Sequence, residues 1–178
     1  MKWLHFPDAH EEDRFEEIYE KYYQTVYNYV YRILLHRQNT EDVVSETFLK
    51  AMRAFSRYDR KKGTVSVWLC GIAHNCAMDL LRAAAVRTSL SLEELLENEN
   101  IPESVRNEWE DNTAEWEAWE ILRRLSVQER TLLNWRYFLG LSNREIAQKL
   151  EITEKAASKR IIKTLAKCRD IAAEASVF

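Results

Sequence analysis

The residues best suited to act on another molecule lie between Ser142 and Cys168, where lysines recur at positions 155, 159 and 163 with Ser158 and Arg160 beside them. A spacing of four places Lys155, Lys159 and Lys163 along one side of a helix, together with Ala156. Ammonium and guanidinium groups set in such a row neutralise phosphates of a duplex, and a guanidinium also pairs with the acceptor edge of guanine. The chemistry this implies is reversible contact with a major groove rather than bond making.

The elements that must hold those cations are written in the same stretch. Ser142-Asn143-Arg144-Glu145 is a capping box, in which the serine oxygen accepts from the backbone of Glu145 and the glutamate reaches back to the serine amide. Ile146, Ala147 and Leu150 continue a short helix, Glu151-Ile152 makes a corner, and Thr153 caps a second helix. That second helix has an apolar side of Ala157, Ile161, Leu165 and Cys168, opposite the lysines. The sum is a helix-turn-helix with a basic second helix.

Composition bounds the remainder. The chain has 178 residues, only three glycines and two prolines, and 46% hydrophobic residues, so an all-α fold of long helices in one or two small domains is expected. No stretch approaches the uncharged length of a membrane span, and Met1 to Pro7 lacks a signal-peptide core, so a cytoplasmic location without membrane insertion is expected. Cys70, Cys76 and Cys168 are scattered and fall on apolar faces, which predicts reduced thiols. Cys70 and His74 lie one turn apart while Cys76 points elsewhere, so no metal is expected, and no cofactor. His5, His10, His36 and His74 pair with no nucleophile, and no glycine-rich phosphate loop is present, so an enzyme is not expected.

The net charge of −3 hides a division. From Glu93 to Glu120 there are eleven acidic residues against Arg106 alone, a charge of −10, which leaves +7 on the remainder. Two basic modules joined by an acidic tether fit that distribution. Helical periodicity predicts a first helix over residues 11–36, with a second tyrosine stripe of Tyr23, Tyr27 and Tyr31 beside its main apolar stripe. Thr40 is the expected N-cap of a second helix ending near Arg57. The turn Tyr58 to Gly63 follows, then a third helix from about Thr64 with a core face of Trp68, Leu69, Ile72, Ala73, Cys76 and Leu80. Its other face carries Asn75, Met78, Asp79 and Arg82. After a connector with a short helix capped by Ser91, Trp116, Trp119 and Leu122 begin the second module. Ser126 and Glu129 then cap a helix through Leu132, Leu133 and Tyr137, which Gly140 ends. The expected organisation is an N-terminal extension at 1–10, a helical domain at 11–85, an acidic linker at 86–113 and a helix-turn-helix domain at 114–178.

These residues carry a family resemblance. Glu41 to Phe55, with Trp68-Leu69, Ile72-Ala73-His74-Asn75 and Asp79-Leu80-Leu81-Arg82, resembles region 2 of the extracytoplasmic-function group of bacterial sigma factors. Leu125-Ser126, Glu129-Arg130, Tyr137 to Ser142 and Glu145-Ile146-Ala147 resemble their region 4. The resemblance implies a subunit that binds core RNA polymerase, directs it to promoter DNA and helps open the duplex, with an anti-sigma factor as a further partner. By that resemblance Asp42, Glu46 and Lys50 face the polymerase. Tyr58, Lys61, Lys62, Asn75, Asp79 and Arg82 serve the downstream promoter element and strand opening. An extruded base needs stacking surface, cations and an amide, which these residues offer. Ser158, Lys159, Arg160 and Lys163 are the expected contacts with the upstream element, with Lys155 and Arg144 on phosphates. Glu151, Lys155, Ala157 and His74 depart from the residues usual at those places in the family. Two other classes fit parts of the pattern: a stand-alone helix-turn-helix regulator binding duplex as a dimer, and a protein-binding helical adaptor.

Overall fold

The computed structural model describes residues 9–88 and 113–175, and every regular element among them is helical. The chain divides into two compact units, Met1–Ala84 and Ala85–Phe178. The expected linker helix capped by Ser91 lies outside the described residues.

The first unit is built on α1 (Ala9–Leu34), α2 (Arg37–Ala54) and α3 (Val65–Thr88). Along α1, Phe15, Val26, Tyr29, Val30, Ile33 and Leu34 are buried, the stripe that the helical period dictates. The second tyrosine stripe packs as a ladder, with Tyr27 and Tyr31 stacked at 6.0 Å, Tyr23 and Tyr27 at 6.3 Å, and Tyr23 stacked on Phe48 of α2 at 6.3 Å. Burial first, and then the charge of Glu41, push the Tyr27 hydroxyl above its ordinary pKa.

Thr40 does not cap α2. The chain reverses at Leu35, which takes a left-handed φ of 49°, and α2 starts four residues earlier than expected, with His36 as its cap. The His36 Nδ1 accepts from the Asn39 N–H at 3.3 Å, while the buried Thr40 hydroxyl donates back to the His36 carbonyl at 2.9 Å. The α2 end is as expected, with the last turn Phe55–Arg57 tightening to 3-10 geometry. On α3 the buried stripe is Leu69, Cys70, Ala73, Cys76, Ala77, Leu81 and Ala85, rotated from the predicted face so that Trp68, Ile72 and Leu80 are only half-buried. The three cysteines are free thiols, and burial pushes Cys70 up to about 12.

The second unit comprises α4 (Thr113–Arg123), α5 (Val127–Leu133), α6 (Asn143–Lys149) and α7 (Glu154–Ala175). Ser126 and Glu129 cap α5 as expected, with the Ser126 N–H donating to Glu129 Oε2 at 2.8 Å. Arg130, 1% exposed, donates to the carbonyls of Leu122 and Leu125 and so closes the C-terminal end of α4. Burial lowers its pKa to about 10, still high enough to keep the guanidinium charged near neutrality.

Tyr137 is where periodicity misleads. Beyond Leu133 the backbone widens into a π-turn, Asn134–Phe138, and the extra residue rotates the faces. Trp135 becomes buried and Tyr137 is 61% exposed. Gly140 then takes a left-handed φ of 69°.

The two informative glycines give opposite expectations. A Cβ at Gly71, inside α3, would meet nothing within 4 Å, so Gly71→Ala should stabilise the first unit by about 0.5–1 kcal/mol. Gly140→Ala also has space, yet its positive φ should make it destabilise the second unit by about 1–2 kcal/mol. Urea unfolding of each variant against the parent chain measures both signs.

Candidate nucleic-acid interface

The helix-turn-helix is fixed at its entry, corner and second helix by separate interactions. At the entry, Ser142 donates its N–H to Glu145 Oε2 at 2.8 Å and its hydroxyl to the same oxygen at 2.6 Å, while the Glu145 N–H donates to Ser142 Oγ at 3.2 Å. These bonds, the serine side chain's first, hold the Glu145 carboxyl below its ordinary pKa. At the corner Glu151 takes a φ of 53°, so a non-glycine residue carries the left-handed conformation there. The Ile152 N–H reaches the Ala147 carbonyl at 3.0 Å, and Thr153 Oγ1 accepts from the Ala156 N–H at 3.2 Å to start α7.

Ala157, Ile161, Thr164 and Ile171 bury one side of α7. Lys167 turns its Nζ to Glu129 Oε2 at 3.0 Å, the oxygen that also receives the Ser126 amide. One carboxylate therefore caps α5 and holds α7 against it. Lys167 is thus a cation of α7 with a defined internal task.

The predicted upstream contacts remain on the outer side. Lys155, Lys159, Arg160, Lys163 and Arg144 are exposed and Ser158 is half-buried. Asn143 and Glu154 join Lys155, Ser158, Lys159 and Ile162 around a shallow groove of about 470 Å³. Ile162, 61% exposed, is not among the residues the sequence singles out, because it is a lone apolar group on a face of lysines. The wheel that exposes Lys155 and Lys159 places position 162 between them and Ser158.

In the first unit the expected downstream residues fall into two groups. The Tyr58 hydroxyl donates to the Gly63 carbonyl at 2.9 Å and its ring lies 4.9 Å from that of Trp68, so Tyr58 shapes the loop and ties it to the first turn of α3. Lys61 is exposed, with its N–H donating to Asp59 Oδ1 at 2.9 Å, and Lys62 ends the 3-10 turn Arg60–Lys62. Asn75, Asp79 and Arg82 form one exposed line along α3, with Arg82 paired to Asp79 at 2.6 Å. The loop and that line are separated by the two turns of α3 between Trp68 and Asn75, roughly 10 Å of rise.

On α2, Asp42 and Glu46 are exposed and Lys50 is half-buried. Lys50 Nζ pairs with Glu46 at 3.4 Å and lies 3.5 Å from Cys76 Sγ, which couples this face to α3. Leu49, 47% exposed beside them, was missed by the sequence reading. An apolar residue one turn from both Glu46 and Arg53 is the signal that would have found it.

Residues 18–87 match the Sigma-70 region 2 family and residues 116–168 the Sigma-70 region 4 family. The ECF RNA polymerase sigma factor BldN of Streptomyces coelicolor is 28% identical over 170 residues, spanning 94% of this chain and 64% of that protein. The chain thus spans somewhat under two thirds of that relative's length. ECF RNA polymerase sigma factor SigK of Mycobacterium bovis is 25% identical, spanning 92% of this chain and 89% of that protein. The solved structure of the sigma factor RpoE in complex with the anti-sigma factor NepR from Bartonella quintana shares the fold, with a TM-score of 0.65 at 14% identity over 89% of this chain and 96% of that one. A region 2 unit followed by a region 4 unit defines a sigma-70-type protein. With relatives of this kind along nearly its whole length, the chain belongs to the extracytoplasmic-function group of sigma factors.

The capping box at Ser142 should titrate. Folding lowers the Glu145 pKa below its ordinary 4.5, so the box contributes fully above that value and its contribution is lost as pH falls through the folded-state value. Glu145→Gln, which keeps the reach without the charge, should flatten that acid limb in thermal melts taken between about pH 6 and 3. An identical acid limb in both proteins would show that the box carries no pH dependence.

Proposed function

We propose that this chain binds bacterial core RNA polymerase, directs it to promoters and assists duplex opening at the start of transcription. The reading rests on one observation above the others: the cationic side of α7 is left in water by a helix whose opposite side is buried. The order of the two sigma regions supports it. As a sigma factor the chain is not an enzyme, since the nucleotidyl transfer belongs to the polymerase.

In this reading Asp42, Glu46 and Lys50 of α2 form the polymerase-facing patch. The loop residues Tyr58, Lys61 and Lys62 and the α3 line Asn75, Asp79 and Arg82 hold the opened downstream element. Ser158, Lys159, Arg160 and Lys163 read the upstream duplex, with Arg144 and Lys155 on phosphates. An anti-sigma factor, the kind of partner found with RpoE, holds the chain in check. Its working place is the cytoplasm, where the polymerase is. No helix among the described residues is long and apolar enough to cross a membrane.

Run-off transcription with core polymerase on a promoter library tests the reading. The chain should direct initiation from a defined subset of sequences, and the free chain should bind the same duplexes weakly. Lys159→Ala should relax or weaken upstream selection by about 1–3 kcal/mol, while Lys155→Ala should weaken binding evenly and reduce the salt slope by about one. Tight operator binding by a free dimer, without effect on polymerase, would identify a stand-alone regulator instead.

A further inference from the structure

Ile162 is an anomaly on its helix. The larger apolar residues of α7 are otherwise turned inward or half-buried, as Ile161, Leu165 and Ile171 are, yet Ile162 is 61% exposed in the middle of the cationic side. It lines the shallow groove with Ser158, Lys155 and Lys159, one turn beyond Ser158. A β-branched side chain has few rotamers, so its two terminal carbons are held outward as a fixed apolar knob. Lys155 on one side of it would sit on a phosphate and Ser158 and Lys159 would face bases when α7 enters a groove, which brings the knob to base edges rather than to backbone. Four kinds of base edge face the major groove, and one of them presents a methyl group, that of thymine.

From this we infer that Ile162 reads a thymine methyl in the upstream duplex and so sets a base preference that the charged residues of α7 do not supply. The inference rests on the proposed placement of α7 in the major groove. Charge complementarity selects the occupant: an apolar knob beside Lys155 and Lys159 suits a methyl displayed on a polyanion, and the lysines oppose a purely apolar protein helix. Removing the methyl leaves base pairing and both phosphates unchanged, so deoxyuridine isolates the contact. Burial of one methyl against the knob corresponds to roughly a fourfold change in affinity.

The test uses the full chain with core polymerase and a duplex library randomised across the upstream element, prepared once with thymidine and once with deoxyuridine. The parent protein should select one thymine position from the first library, and replacing that thymine by deoxyuridine should reduce binding roughly fourfold. Ile162→Ala should bind both forms equally, and Ile162→Val should keep the preference. Circular dichroism melts should show both variants folded, as expected for an exposed side chain. Equal binding of thymine and uracil by the parent, with Lys159→Ala still weakening upstream selection, overturns the inference and leaves the promoter reading standing. No upstream selection by the parent overturns both.

Discussion

The direction of the basic face depends on what α7 buries. Ala157, Ile161, Thr164 and Ile171 are sealed against the rest of the unit, and Lys167 is anchored to the Glu129 carboxylate at 3.0 Å. Turning the helix by half a revolution would bury Lys155, Lys159 and Lys163, and burying unpaired ammonium groups is far more costly than leaving four small side chains in water. The apolar side therefore orients the cations without touching them. Exchange of their water and counterions for phosphate then needs no rearrangement of the helix.

Three sharp backbone reversals set the angles between helices. Leu35 and Glu151 adopt left-handed φ of 49° and 53°, and Gly140 adopts 69°. Each non-glycine reversal carries a strain of about 1–2 kcal/mol, and each persists because neighbours on both sides are already fixed. Leu35 is 1% exposed, so its burial offsets its strain. Glu151 has no such compensation in burial and relies on the bonds of the corner, notably the Ile152 amide to the Ala147 carbonyl at 3.0 Å. The corner is thereby short and stiff, and the first turn of α7 inherits its direction from α6.

Much of this architecture was legible in the residues because it is written in local chemistry. The capping boxes at Ser126 and Ser142 and the Thr153 cap each involve groups within four positions of one another, and the structure places them as expected. What was not legible needed the third dimension. Thr40 has every local mark of a cap, but the buried turn at Leu35 lets His36 take that task first. The burial of Cys70, Ala77 and Leu81 depends on how α3 rolls against its neighbours, which a 3.6-residue period does not fix to better than one face. Tyr137 was misplaced because a π-turn inserts a residue that no propensity announces. Leu49 and Ile162 lie on faces already assigned to charged residues, and a reading that sorts faces by polarity passes over a single apolar group among them.

The two units differ in how their charges are spent, and that difference bears on how each can grip DNA. Arg82 is paired with Asp79 at 2.6 Å and Lys50 with Glu46 at 3.4 Å, so these two cations of α2 and α3 are locally compensated. Among the described residues Lys155, Lys159, Arg160 and Lys163 have no carboxylate within ion-pair distance. Uncompensated cations gain most from counterion release, and their hold on a duplex falls steeply with salt. A compensated surface has less to gain from phosphate and must rely on shape, stacking and amide hydrogen bonds, which suit an unpaired strand better than a regular duplex. The cations of α7 are thus left available to an external anion, whereas Lys50 and Arg82 of the first unit are already met by carboxylates of their own helices.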